Sequence, residues 1–346
     1  MARRVLWGSL SLAPLTILLH YFADLGDTAD FVLAAAALVP LAWLIGEATE
    51  HAAHHVGPGI GGFLNATFGN APELIIALFA VNEAKFEVVR GSLSGSVIGN
   101  LLLVLGFSLL FGGRGALDRQ STFVSLGLVA LAIVLLLIPA IPSWSGDPER
   151  DLIVKLSIPV SIALLVVYVG VTWWSLRRHR TLHVSDEPPE IRGWSLSLSL
   201  VVLGIATVVT ALIAEILVGS IETFAHKAHL SEFFVAAVIV AIVGNAAEHG
   251  GAVVVAARGN IKLAAEIALA SSAQVAVFLI PAVALLALLI DPLALAFRPV
   301  EIAALVGSVV LTAALLWHGQ SSRARGVALI AAYGVVALAF LLAGDR

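Results

Sequence analysis

Gly69-Asn70-Ala71-Pro72-Glu73 and Gly244-Asn245-Ala246-Ala247-Glu248 are nearly one stretch written twice. Each lies inside a long apolar run, so each puts a carboxylate where hydrocarbon surrounds it unless the protein supplies a partner. Two such carboxylates at matching positions indicate one site shared between two halves. Shifting the chain by 175 residues lays one motif on the other without a gap, Ala77 on Ala252, Ser96 on Ser271 and, one helix upstream, Glu47 on Glu222. Few other positions repeat. The weight lies in four identities within five residues, all at small or polar positions.

The surroundings of the motifs fix the solvent. Of 346 residues, 60% are hydrophobic and only 12% charged, and mean hydropathy is +1.02. A soluble domain carries about 25% charged residues, so this chain is built for a bilayer. The net charge of −4 says little. The absence of cysteine excludes disulfides, thiolate metal sites and cysteine nucleophiles. No basic patch suits a nucleic acid, no glycine-rich nucleotide loop supports ATP as driving force, and no Ser/His or Asp/Asp pair is placed for hydrolysis, so neither an enzyme nor a resident cofactor is expected.

A helix needs about 20 apolar residues to cross the hydrocarbon core. Eleven runs qualify, near 5–23, 30–53, 61–81, 88–111, 122–141, 152–175, 195–218, 231–256, 263–290, 300–317 and 324–343. The expected fold is all-α and polytopic. The run after Arg3 and Arg4 reads as an uncleaved first helix, in residues 1–28. Residues 29–176 read as a first five-helix repeat, 177–194 as a polar cytoplasmic linker, and 195–346 as a second repeat. An odd number of helices per half inverts one half against the other, as in many secondary transporters. With the N-terminus cytoplasmic, twelve of the nineteen Lys and Arg residues fall on the cytoplasmic side, as the positive-inside rule asks.

The motif chemistry follows. Pro72 cannot donate a backbone hydrogen bond, and Gly69 and Gly244 tolerate unwound backbone. Together they predict helices broken or bent near the midplane, and a broken helix exposes free carbonyls able to bind cations. Asn70 and Asn245 add side-chain carbonyls; Glu73 and Glu248 add charge. An all-oxygen shell with two negative charges suits a hard divalent cation, calcium above all. Two carboxylates about 5 Å apart repel by roughly 3 kcal/mol at an effective dielectric of about 20. Either a divalent ion or protons relieve that repulsion, and mutually exclusive occupancy is what an antiporter needs. The physics alone leaves sodium open as counter-ion. A plainer alternative, ordinary kinks with interhelical hydrogen bonds, has to explain the same arrangement twice.

Further residues are candidates by position. Ser96, Asn100, Ser271 and Gln274, on the helices after each motif, can complete a cation path or simply bond between helices. Glu47 and Glu222 are candidate proton acceptors or gates. Gly91, Gly95 and Gly99 form a small-residue packing ridge. His51, His54 and His55 read as solvated residues at a helix end, and His249 stands beside Glu248.

The stretches GGFLNATFGNAPELIIALFA (Gly61–Ala80), GSLSGSVIGNLLLVLG (Gly91–Gly106), VGNAAEHGGAVVVA (Val243–Ala256) and Ser271–Gln274, with Gly46–Glu50 and Gly219–Glu222 upstream, resemble the calcium/cation antiporter superfamily and its cation/proton exchanger branch. The resemblance implies an eleven-helix fold with inverted five-helix halves. It implies Glu73 and Glu248 as principal calcium ligands and proton carriers, supported by the backbone around Gly69, Asn70, Gly244 and Asn245. Sodium-using branches carry Gly-x-Ser-x-Pro-Glu-like motifs; Ala71 and Ala246 favour the proton branch. The short linker, without a long acidic segment, implies a minimal exchanger of a prokaryotic inner membrane. The expected function is export of cytoplasmic calcium against entering protons. The rivals are a sodium/calcium exchanger and, further off, a passive cation channel.

Overall fold

The computed structural model describes residues 2–23, 25–145, 150–180 and 193–345. The chain is a helical bundle. In order, α1 is Val5–Phe22, α2 Asp27–Gly69, α3 Ala71–Asn82, α4 Phe86–Gly112, α5 Arg119–Ala140 and α6 Arg150–Arg180. Then follow α7 Leu196–Ala228, α8 Glu232–Gly244, α9 Ala246–Ala257, α10 Ile261–Leu289, α11 Pro299–Leu316 and α12 Arg323–Ala343. Side-chain caps start several of them: Asp118, Ser195, Ser231, Asn260 and Ser322 each accept a backbone N–H of the first turn, satisfying a donor the helix cannot.

Among the described residues, nine helices are long and apolar enough to cross a membrane, and the bent pair α8–α9 makes a tenth. The expected run at 61–81 does not stand as one long helix. It is the short apolar α3, joined at Asn70 to the end of α2. Helical hydrogen bonding continues through all 43 residues of α2, yet a Cβ on Gly61 would lie 2.9 Å from the Ala53 carbonyl oxygen. Eight residues of straight helix rise about 12 Å, so the chain folds back between these positions. Two legs were expected here, and the turn between them stays helical.

The all-α expectation needs one small amendment. Gly115–Ala116 (β1) and Gln320–Ser321 (β2) pair antiparallel, Gly115 opposite Ser321. The expected linker lies outside the described residues between 181 and 192.

α4 is the most buried span and forms the centre of the core with α10 and α8. Its first half touches α8 backbone to backbone. A Cβ on Gly91 would meet the Phe233 carbonyl oxygen at 2.9 Å, and one on Gly95 the Ala237 oxygen at 2.1 Å. Gly99, third in the expected ridge, faces nothing within 4 Å. The most extensive helix pair is α2 with α7.

Loop contacts sort into two ends. At one end β1 meets β2, Lys262 Nζ lies 3.2 Å from Asp118, and His55 Nε2 bonds the Trp194 carbonyl at 2.8 Å. His51 packs its ring on Trp194, so of the three histidines expected in solvent only His54 is well exposed. At the other end Thr223 donates to Asp27 and Lys85 reaches α7. There Arg298 binds the Gly344 carbonyl, and Asp345 accepts the first N–H groups of α8.

Candidate functional site

Both motifs break their helices at the asparagine. Asn70 (φ −97°, ψ 16°) separates α2 from α3, and Asn245 (φ −85°, ψ 10°) separates α8 from α9. The axes of α8 and α9 meet at 57°. Pro72 falls in the first turn of α3, where a missing N–H costs nothing. It starts the second leg rather than kinking a continuous helix, which the sequence reading had not distinguished. Glu73 and Glu248 sit in the first turns of α3 and α9, where the helix dipole favours negative charge.

The repeat is geometric as well as textual. α3 and α9 are each twelve residues. Each ends in a residue with positive φ, Ala84 at 53° and Gly259 at 92°. Each closes with a matching bond, Lys85 N–H to Ala80 O (2.8 Å) and Asn260 N–H to Val255 O (3.2 Å). The next helices then widen into π-turns, Gly99–Val104 in α4 and Val275–Leu279 in α10. Such turns are rare and collect at functional sites.

The structure brings most of the candidate side chains together. A Cβ on Gly244 would stand 3.2 Å from Glu73 Cγ and 3.7 Å from its Oε1, so Gly244 is the bare surface against which Glu73 lies. The two glutamates are within each other's electrostatic reach. Asn245 Nδ2 donates to Ser96 Oγ (2.8 Å) and to the Ala241 carbonyl (2.9 Å). Asn100 Nδ2 donates to Ser271 Oγ (2.9 Å), and Ser271 donates to Glu248 Oε2. Asn70, Glu73, Asn100 and Asn245 are buried.

Three buried oxygens here, Glu73 Oε2, Asn100 Oδ1 and Asn245 Oδ1, have no hydrogen-bond donor among the described residues. Buried acceptors without donors are uncommon, and hard cations take oxygen ligands of this kind. His249, next to Glu248, likewise keeps its buried Nε2 without a partner.

Other candidates fall elsewhere. Glu222 is exposed at the far end of α7, beside Lys85, and Glu47 lies beside His51 on its own helix. Gln274 ends the first part of α10, half-buried, and takes no part in these bonds. Sequence reasoning missed a buried cluster at the end of the bundle that holds Lys85. There Glu87 binds Arg90, Arg298 approaches Glu87 (3.8 Å) and Glu301 (3.7 Å), and Ser94 donates to Glu301. Its signal was the i, i+3 spacing of Glu87–Arg90 and of Arg298–Glu301.

The family model for sodium/calcium exchanger protein matches residues 28–177 and 198–342. A Ca(2+)/H(+) antiporter of Synechocystis sp. is 35% identical over 96% of this chain and 95% of its own. The Ca(2+)/H(+) antiporter ChaA of Bacillus subtilis is 38% identical over 90% and 92%. The solved structure of YfkE superposes with a TM-score of 0.84 at 33% identity, covering 96% of this chain and 98% of that one. Broken motif helices, shared polar site and whole-length likeness agree: the chain belongs to the sodium/calcium exchanger protein family, in its cation/proton exchanger branch.

Proposed function

We propose that this protein exchanges calcium for protons across a membrane, with Glu73 and Glu248 as the shared site, and that it exports calcium from the cytoplasm. The observation that carries the reading is the meeting of the two broken helices. Glu73 rests on Gly244, four residues before Glu248, and Glu73, Asn100 and Asn245, on the two motifs and the helix after the first, each keep a donorless buried oxygen. The carboxylates hold either a divalent ion or protons, and alternating access carries the loaded site from face to face. Gly69 and Gly244 would add backbone oxygens. Similarity to proteins named as Ca(2+)/H(+) antiporters supports the choice of ions.

The same reading assigns residues 29–176 and 195–346 to two inverted repeats, with residues 1–28 as an added first helix and 177–194 as the cytoplasmic linker. Two facts support it. The 175-residue offset holds in helix length, cap geometry and π-turn position. The loop contacts also join loops that strict alternation of the spans puts on one side. We take the N-terminus to be cytoplasmic, because that puts twelve of nineteen Lys and Arg residues on the cytoplasmic side, and the membrane to be a prokaryotic inner one.

The test is calcium uptake into proteoliposomes under a proton gradient, a sodium gradient or neither. We expect uptake driven by protons alone, falling below about a tenth in Glu73→Gln and in Glu248→Gln. Sodium-driven uptake would move the protein to the sodium-coupled reading with the same site. Uptake without either gradient would mean a channel, and normal uptake in both variants would remove the carboxylates from the mechanism.

A further inference from the structure

We propose that Lys85 is a gate residue of the transport cycle: its ammonium ties α7 to the corner between α3 and α4 and closes the outer path to Glu73. The proposal rests on the exchange reading and adds to it a residue outside the ion site.

Lys85 is placed with care. Ala84 before it takes φ 53°, uncommon for a residue with a side chain, and the Lys85 N–H to Ala80 bond sets the lysine across the end of α3. Its side chain is 14% exposed, little for a lysine. Nζ donates to the Val218 carbonyl at 3.2 Å and lies 3.9 Å from Glu222 Oε2 and 3.8 Å from Glu83 Oε2. Val218 lies within α7, so the ammonium grips the body of that helix. α3 is twelve residues long, about 18 Å, with Glu73 in its first turn and Lys85 just past its last. A tie from that corner to α7 bars movement between α7 and the leg that carries Glu73.

The repeat shows that this tie belongs to one face only. Lys85 and Asn260 hold matching positions, each the residue before the following helix. Glu222 matches Glu47 and Val218 matches Trp43. Asn260 has no charge, and its Oδ1 is engaged by the Leu263 N–H at 3.2 Å within its own helix. The inner corner therefore has no ammonium at the matching position, and Lys262, two residues on, pairs with Asp118 rather than with α2. A bond made in one conformation and lost in the other shifts the balance between them, so Lys85 favours the state with the outer path closed.

The natural chain lacks cysteine, so Ser92→Cys supplies a unique thiol. Ser92 is buried on α4, one turn outward from Ser96. Labelling by an impermeant maleimide added outside intact cells, with no imposed gradient, reports opening of the outer path. We expect Lys85→Met to raise the rate about tenfold, as loss of a charged hydrogen bond allows, and Lys85→Arg to restore it. Asn260→Lys, which adds an ammonium at the inner corner, should also raise it with Lys85 intact. Glu222→Lys, at an exposed position that tolerates change, should raise it by repelling Lys85 and carries the test should Lys85→Met not fold. Unchanged labelling in the folded Lys85 or Glu222 variant overturns the proposal, as does fast labelling in Lys85→Arg. The readout needs no calcium, so it fails or succeeds apart from the exchange assay.

Discussion

The two motif halves share a backbone and differ in what their side chains bind. On one side Glu73 lies against bare Gly244, with Oε2 free of any donor among the described residues. On the other, Glu248 is held by Ser271, whose own oxygen is taken by Asn100. The matching Ser96 accepts from Asn245, and the residue matching Asn100 is Val275. The two motif regions therefore match in backbone shape and differ in their bonds. One carboxylate is fixed by a hydroxyl relay and the other keeps an acceptor without a donor among the described residues.

The largest test of that contrast concerns packing. Gly95 and Ala270 are matching positions, yet Gly95 is pressed against a neighbouring backbone whereas Ala270 is exposed. Gly95→Ala should cost about 3 kcal/mol of stability or more by overpacking. Ala270→Gly should cost no more than about 1 kcal/mol of helix propensity. Thermal unfolding of the detergent-purified protein measures both, and equal effects would mean that the halves pack alike.

Next comes the relay. Ser271→Ala removes the only hydroxyl on Glu248 among the described residues and should weaken calcium binding about tenfold, as loss of a hydrogen bond to a charged group does. Ser96→Ala leaves Asn245 bound to the Ala241 carbonyl and should change it about threefold or less. Isothermal titration would sharpen the contrast by its ratio and break it if the two variants matched.

The smallest effect lies at the corner joining the halves. The Ser121 N–H and then Lys262 hold the exposed Asp118 carboxyl below the ordinary range. Its stabilisation is present above the unfolded value near 3.9 and is lost as pH falls through the lowered folded value. Asp118→Ala should cost about 1 kcal/mol as a lost helix cap at neutral pH, and less at pH 3. Unfolding curves at the two pH values check the sign.

Much of this was legible in the sequence because lipid punishes unpaired polarity. Glu73 and Glu248 announced themselves by lying in apolar runs, and an offset of 175 residues joined them. Ser96, Asn100 and Ser271 were legible as polar residues on the helices after each motif. The partner each one takes was not legible, because that depends on which helices cross. The turn between Ala53 and Gly61 kept its helical bonds, and π-turns differ from α-turns by one residue, with no compositional mark. Glu222 had the right repeat position for the site. Its place near the end of a 33-residue helix puts it beside Lys85.

The two-residue ladder of β1 and β2 looks slight, yet it joins a loop of the first half to a loop of the second. Ser321 reinforces it with bonds to the Gly113 and Gly115 carbonyls (2.7 and 3.1 Å). At the opposite end Arg298 and Asp345 fasten α11, α12 and α8. In mechanical terms the molecule is riveted at both rims. Continuity of the chain from residue 181 to 192 is then not what keeps the halves in register; the rivets are.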